Sequence, residues 1–358
     1  MLGPTPDGVG ALRTGPRHAR GGSTVSPKHS REFLTVQQHI LLQQHEKAPG
    51  ASGQFSWLLS GITIAAKIIA DRVRRLGLFS LSGAAGAENV QGEAQQKLDV
   101  FANDILLRTL GMRDSVAILA SEENEEPIVC NVGGGGHYVV LFDPLDGSSN
   151  IDCNVGVGTI FSILRCDGEG RGVGGESAVL QRGAQQVAAG YIFYGSAVSL
   201  AYTTGSGVHL FTLDNAIGAF VLTQEHVRIP QRGGIYSVNE ANSLSFPEGY
   251  RRFLEWAKSK EAGPYSSRYV GSMVADIHRT LLKGGVFFYP PTAKAPEGKL
   301  RLMYEANPMA MILEQAGGLA FVGGDRRRIL EVEPRSLHQR TPLIMGSPED
   351  VERVVAFL

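Results

Sequence analysis

The run Asp143-Pro144-Leu145-Asp146-Gly147-Ser148-Ser149-Asn150-Ile151-Asp152 gathers three carboxylates, a turn and two hydroxyls directly after the apolar run 138–142. Pro144 fixes one backbone dihedral and Gly147 opens conformations closed to other residues, so the chain is expected to turn sharply at the end of a strand. Asp143 and Asp146 then converge on one point. Hard cations such as Mg²⁺ take oxygen ligands from one or two carboxylates, from water and from substrate phosphate, and the Leu145 carbonyl offers another oxygen. The amides of Gly147, Ser148 and Ser149 open toward a helix start and suit an anion. An Asp-rich turn is also a common solvated loop or helix cap, so the decapeptide does not decide the chemistry alone.

A second acidic pair, Glu122 and Glu123, follows the apolar run 116–120 and so belongs at another strand's carboxyl end, where ligands of open α/β sheets gather. Asp99 stands just ahead of the amphipathic run 100–110, and Glu305 follows much later. Singly, each reads as a surface charge. Held together they would repel one another unless cations sat between them, so convergence implies two or more metal ions.

Ser121-Glu122-Glu123, the 143–152 block, the run 268–279 (Arg268-Tyr269-Val270-Gly271-Ser272-Met273-Val274-Ala275-Asp276-Ile277-His278-Arg279), Gly298-Lys299-Leu300-Arg301 and Tyr304-Glu305-Ala306-Asn307-Pro308-Met309 together resemble class I fructose-1,6-bisphosphatase, in order from about residue 33 to the C-terminus. The acidic pair and the Asp-Pro-Leu-Asp-Gly turn identify only the wider Mg²⁺-dependent, lithium-sensitive phosphatases; the two C-terminal motifs narrow the resemblance to the bisphosphatase.

That resemblance implies metal ligation by Asp99, Glu122, Glu123, Asp143, Asp146, Glu305 and the carbonyl of Leu145. The metal would be Mg²⁺, with Mn²⁺ or Zn²⁺ as substitutes. It implies substrate contacts from Ser149, Asn239, Tyr269, Met273, Tyr289, Lys299 and Arg301, and a homotetramer in which Arg268 reaches the 6-phosphate of the neighbouring subunit. A sugar bisphosphate needs a cationic pocket for the phosphate that stays and a metal cluster for the one that leaves; Arg and Lys supply the first. The expected reaction is hydrolysis of fructose 1,6-bisphosphate to fructose 6-phosphate and inorganic phosphate by a metal-activated water, with Asp99 and Glu123 accepting the proton. His278 and Cys153, the rival base and nucleophile, read as structural. The alternatives are sedoheptulose-1,7-bisphosphatase, another sugar or inositol phosphatase of the superfamily, and a non-catalytic sugar-phosphate sensor. A monophosphatase would not need Arg268, Tyr269, Lys299 and Arg301, and a sensor would normally lose a metal-binding carboxylate.

The elements that must position these groups are legible in outline. A helix is expected from Ser52 or Gly53 to Arg75, carrying an apolar face through Leu58, Leu59, Ile62, Ala65, Ala66 and Ile69. The glycine-containing segment 80–96 reads as a loop, and the resemblance makes it a lid over the metals. Short apolar runs at 158–164, 186–194, 196–203, 208–213 and 219–222 predict a largely antiparallel sheet. A mixed unit follows, with strands at 234–238 and 285–289 and helices at 247–259, 273–283 and 307–316. The resemblance implies an α/β (α+β) fold layered α/β/α/β/α, with an N-terminal domain at 31–223 and a C-terminal domain at 224–358.

With 358 residues, 43% hydrophobic, and a net charge of -1, the chain suffices for a large core and gives no reason to expect a nucleic-acid partner. No apolar stretch reaches membrane-spanning length. Cys130, Cys153 and Cys166 lack metal spacing. Where the light-regulated plastid form of the family carries a cysteine loop, this chain has the short segment 166–186, which argues for a redox-insensitive type. Residues 1–30, with Asp7 the only acid, read as a disordered leader or a transit-peptide remnant, so the compartment is expected to be plastid stroma or cytoplasm.

The family's AMP site survives in part. Ser52, Gly53, Tyr138 and Arg165 resemble a nucleotide monophosphate pocket, since helix N-terminal amides and an Arg hold phosphate. His137, Gln54 and Ser52 stand where many members have Lys, Glu and Thr. Loss of a permanent cation predicts weak or absent AMP inhibition, because His is mostly neutral near pH 7. Asn242 replaces a Tyr usually offered to the 6-phosphate.

Overall fold

A computed structural model describes residues 33–47, 53–78, 84–88, 94–131, 136–166, 176–263 and 265–358. The expected leader and Ser52 lie outside them.

Helices α1 (Val36–Lys47), α2 (Gln54–Arg74) and α3 (Lys97–Gly111) come first. Along α2, Leu58, Ile62, Ala65, Ala66 and Ile69 are buried, the stripe that a 3.6-residue repeat puts on one face. Gly53 stands at its N-terminus with φ 79. Part of the expected loop before α3 is ordered as paired antiparallel strands, β1 (Ala84–Glu88) and β2 (Ala94–Gln96).

The large sheet has eight strands: β3 (Val116–Ser121), β4 (Ile128–Val129), β5 (Tyr138–Asp146), β6 (Val157–Arg165), β7 (Gln186–Tyr194), β8 (Val198–Thr203), β9 (Val208–Asp214) and β10 (Ala219–Val227). Their order is β10-β9-β8-β7-β6-β5-β3-β4. Neighbours are antiparallel except β3 and β5, which run parallel. The short helix α4 (Glu176–Val179) falls between β6 and β7.

After the sheet come β11 (Ile235–Ser237), α5 (Glu248–Ala257), β12 (Ser266–Ser267), α6 (Met273–Lys283), β13 (Val286–Tyr289), β14 (Leu300–Arg301), α7 (Asn307–Gln315), β15 (Leu319–Val322), β16 (Arg340–Thr341), β17 (Leu343–Gly346) and α8 (Pro348–Val355). A five-stranded sheet forms in the order β12-β11-β13-β17-β15, and β14 pairs with β16.

Helices α2 and α3 cover one face of the large sheet, α6 and α7 lie between the two sheets, and α5 and α8 cover the outer face of the small one. This is the expected α/β/α/β/α layering. Each interlayer space has its own apolar core. Alternation along β5 feeds two of them: Val139 and Leu141 join the core around α6 and α7, while Val140 and Phe142 join the one beneath α2 and α3. A strand buried on both faces leaves only its end for chemistry.

Candidate active site

The parallel pair sets the site. Ser121 on β3 lies opposite Phe142 on β5, and the Glu122 amide donates to the Phe142 carbonyl at 3.1 Å. Glu122, Glu123 and Asp143 therefore leave the sheet at one edge, the carboxyl ends of two adjacent parallel strands. Asp143 Oδ1 accepts the Leu145 amide at 2.9 Å, which fixes the turn through Pro144. Asp143 pairs with Ile160 and Asp146 with Gly158, so β5 carries one extra residue. That bulge re-aims Asp146.

Asp146 is held by the first turn of α6. It accepts from Ser272 Oγ at 2.6 Å, the Met273 amide at 3.1 Å and the Val274 amide at 2.8 Å, which makes it an anion seated on helix N-terminal donors. Gly147, at φ 82, lets the turn come this close: a Cβ there would lie 2.5 Å from Ser272 Cβ.

Asp99 sits in the first turn of α3, its Oδ2 accepting the Gln96 amide at 3.0 Å. Its Oδ1 is buried without a hydrogen-bond partner among the described residues. Glu305 lies on a π-helical turn, Leu302–Ala306, that leads into α7, a distortion often found at functional sites. Glu305 Oε2 accepts the Arg301 amide at 2.6 Å.

Asp143, Asp146 and Glu305 each bring an oxygen within 4.8 Å of the others. Burial, and then the charge of Glu122, push Glu305 up to about 8; the Glu122, Asp146 and Glu305 charges, after burial, raise Asp143 well above the usual carboxylate range. Burial likewise carries Asp99 up to about 8, with Glu123 and Glu122 adding to it. In Asp146 burial outweighs the Ser272, Val274 and Met273 donors and leaves it at about 6. Acids this crowded and this dry, with Asp99 Oδ1 unsatisfied, fit a divalent oxygen-seeking cation.

The acids line a cleft of about 480 Å³ together with Leu145, Ser149, Tyr269, Met273, Tyr289, Lys299 and Arg301. Six of the eight expected substrate-binding residues thus share one space with every expected metal ligand. Asn239 and Arg268 do not line it. Arg268 is exposed, bonded through Nη1 to the Ser267 carbonyl at 2.7 Å. Glu122 and Arg301, expected on the metal and on the substrate, are instead paired with each other at 2.9 Å, with side chains only 9% and 6% exposed. A buried carboxylate needs a cation, and Arg301 is within reach.

Residues 34–225 match the family model of the fructose-1-6-bisphosphatase N-terminal domain, and residues 229–358 that of its C-terminal domain. The chain belongs to the fructose-1,6-bisphosphatase family. It is 52% identical over 324 residues to a class 1 fructose-1,6-bisphosphatase of Chloroherpeton thalassium, covering 90% of this chain and 92% of that protein. It is also 52% identical to the class 1 protein of Chlorobium luteolum, covering 90% and 96% of the two chains. The crystal structure of Leishmania major fructose-1,6-bisphosphatase in holo form superposes with a TM-score of 0.86 at 43% identity, covering 91% of this chain and 98% of that one. Both of these class 1 sequences come from bacteria, which gives no support to the plastid as the compartment. Among the described residues no helix is long and apolar enough to cross a membrane.

In this bisphosphatase two positioning residues escaped the sequence reading. Ser272 caps α6, accepting from the Ala275 amide, while its hydroxyl donates to Asp146. The wholly buried Asp276 accepts from the Val270 and Gly271 amides at 3.1 Å and from Ser237 Oγ at 2.8 Å, clamping the loop that carries Tyr269. A Ser ahead of a helix with an Asp four residues later was the available signal. His278 does not line the cleft: Tyr191 Oη lies 2.9 Å from its Nδ1, and burial lowers it to about 4. Cys153 is exposed at the end of the 3₁₀ turn Ser148–Cys153.

Of the AMP-like residues, Tyr138 and Arg165 are cross-strand partners on β5 and β6. Phe55, in the first turn of α2, places its ring 6.1 Å from that of Tyr138. Gly53 precedes that turn, and Ser52 lies outside the described residues.

Proposed function

We propose that this bisphosphatase hydrolyses the 1-phosphate of D-fructose 1,6-bisphosphate by direct attack of water, without a phosphoenzyme, to give fructose 6-phosphate and inorganic phosphate. The observation that carries this reading is the shared cleft, where Asp99, Glu122, Glu123, Asp143, Asp146 and Glu305 face Lys299, Arg301 and two tyrosines.

Asp143, Asp146, Glu305, Asp99, Glu122, Glu123 and the Leu145 carbonyl would hold the divalent cations, Mg²⁺ by preference for an all-oxygen set. When bound, the cations lower the pKa of the attacking water and neutralise charge on the phosphoryl and leaving oxygens. Asp99 takes the water proton at Oδ1, the oxygen not occupied by the Gln96 amide, with Glu123 beside it. The α6 N-terminus fixes Asp146 through three hydrogen bonds. Ser149 meets the leaving phosphate, while Tyr269, Tyr289, Met273, Lys299 and Asn239 orient the sugar and its 6-phosphate. Arg301 exchanges its Glu122 partner for substrate phosphate. Arg268, exposed in one protomer, serves the 6-phosphate of its neighbour in a homotetramer. Of the expected lid, residues 84–88 and 94–96 are described, and Gln96 stands at the cleft wall.

Phosphate release with Mg²⁺ is to be measured on fructose bisphosphate, sedoheptulose bisphosphate and inositol monophosphate. Fructose bisphosphate should be turned over fastest; comparable release from inositol monophosphate would overturn the assignment. Asp143→Asn should abolish release and Cys153→Ser leave it unchanged; an active Asp143→Asn protein would refute the metal role.

A further inference from the structure

A second set of metal-ligating side chains lies outside the cleft. His39 on α1 and His209 on β9 are buried, 2% and 1% exposed, with ring centroids 4.3 Å apart. Glu225 on β10, 29% exposed at its side chain, places Oε1 3.8 Å from His39 Nε2. One ligand atom from each of the three lies within 4.8 Å of the other two.

We infer that His39, His209 and Glu225 form a binding site for a Zn²⁺-class transition metal that fastens α1 to the edge of the large sheet. Two imidazoles and a carboxylate are borderline-soft and suit Zn²⁺ or Co²⁺, in contrast to the all-oxygen acids of the cleft. The outer contacts bear on which ring atoms are offered. Tyr202 Oη lies 2.6 Å from His39 Nδ1; in the tautomer in which Nδ1–H donates to that oxygen, Nε2 is the ligand offered to the metal. Gln43 Nε2 lies 3.0 Å from His209 Nε2; ligation through Nδ1 requires the Gln43 amide to turn so that its oxygen accepts from Nε2–H. Such second contacts orient ligating histidines generally.

The backbone also aims the carboxylate. The β9–β10 register shifts between Leu222 and Gln224 and again between Gln224 and Val227, so Glu225 sits in a doubly irregular stretch. His226 beside it has φ 50, which is uncommon outside glycine. Irregularities of this kind redirect a side chain that a regular strand would present elsewhere. Ligands of a tetrahedral metal with bonds of 2.0–2.1 Å stand about 3.3 Å apart. Rotation of the partly exposed Glu225 closes the difference, and water completes the fourth position.

The test uses the full-length protein with excess Mg²⁺ to occupy the cleft and Co²⁺ as the spectroscopic probe. One Co²⁺ per chain should bind with a visible d–d band of low-symmetry, imidazole-containing coordination. Either Glu225→Gln or His209→Gln should weaken it at least about 100-fold, since loss of a direct ligand exceeds the 10–100-fold cost of losing an outer contact. Zn²⁺ should raise the unfolding temperature of the native chain and not that of Glu225→Gln. Glu225→Gln guards against misfolding, because its Mg²⁺-dependent phosphate release should match the native protein's. Absence of the band in the native protein, or equal Co²⁺ binding by Glu225→Gln, would overturn the inference and leave the three residues as an ion pair beside a buried ring.

Discussion

Removing divalent cations should make the protein's stability fall as pH rises through neutrality, and restoring them should flatten that dependence. Asp99 and Glu305 are carried up to about 8 in the metal-free fold, chiefly by burial. In the unfolded chain they titrate near 3.8 and 4.5. Between pH 6 and 7 these two groups thus keep, in the folded protein, protons that the unfolded chain has already lost. A raised carboxyl pKa favours the fold below the unfolded value and loses that advantage up to the folded one. The slope is therefore negative, about 1.4 kcal/mol per pH unit per retained proton, or about 2.7 kcal/mol for the pair. At roughly 2.1 cal/mol/K per residue of unfolding entropy, a chain of this length should lose roughly 3–4 °C of unfolding temperature per pH unit. Saturating Mg²⁺ keeps these carboxylates, together with Asp143 and Asp146, ionised and so cancels their share. Unfolding curves with chelator and with Mg²⁺ at pH 6.0, 6.5 and 7.0 read the gap directly, and calorimetry in buffers of different ionisation enthalpy should report at least about two protons released per chain. Asp99→Asn should reduce the difference. Parallel curves with no proton release would refute the argument that cation charge offsets these acids.

Gly147→Ala should sharply reduce both activity and unfolding temperature, because the new Cβ meets Ser272 at 2.5 Å in a left-handed turn; a well-folded, fully active variant would contradict it. Ser272→Ala removes one of three donors to Asp146 along with the α6 cap, which should cost about 1–2 kcal/mol of stability and raise the Mg²⁺ concentration for half-maximal activity. Unchanged metal dependence would make Ser272 a cap alone. AMP should inhibit weakly or not at all near pH 7, as His137 supplies no fixed charge; submicromolar inhibition in a phosphate-release assay would overturn that expectation.

Much of this was readable from residue types. The helix at 273–283 and the strand at 186–194 were placed at their observed ends, because Ser272 and the flanking glycines and polar residues punctuate them clearly. The Asp-Pro-Leu-Asp-Gly turn announced its own geometry. Less was legible where neighbours decide. The strand expected at 219–222 runs on to Val227 as an irregular partner of β9, and the loop expected at 80–96 holds two paired strands.

Local chemistry therefore settled the alphabet of the site: which carboxylates could bind a hard cation, where a strand ends and where the chain must turn. Those facts depend on spacing and on the dihedral freedom of single residues. Tertiary structure alone decided the rest. The parallel pairing of β3 with β5 puts Glu122 beside Asp143, the bulge turns Asp146 onto α6, and the π turn delivers Glu305 from far along the chain. It also set Arg301 against Glu122 and drew His39, His209 and Glu225 together. The physical reason is burial: charges far apart in the chain shift their protonation, pair or recruit a cation only once packing has removed the water between them.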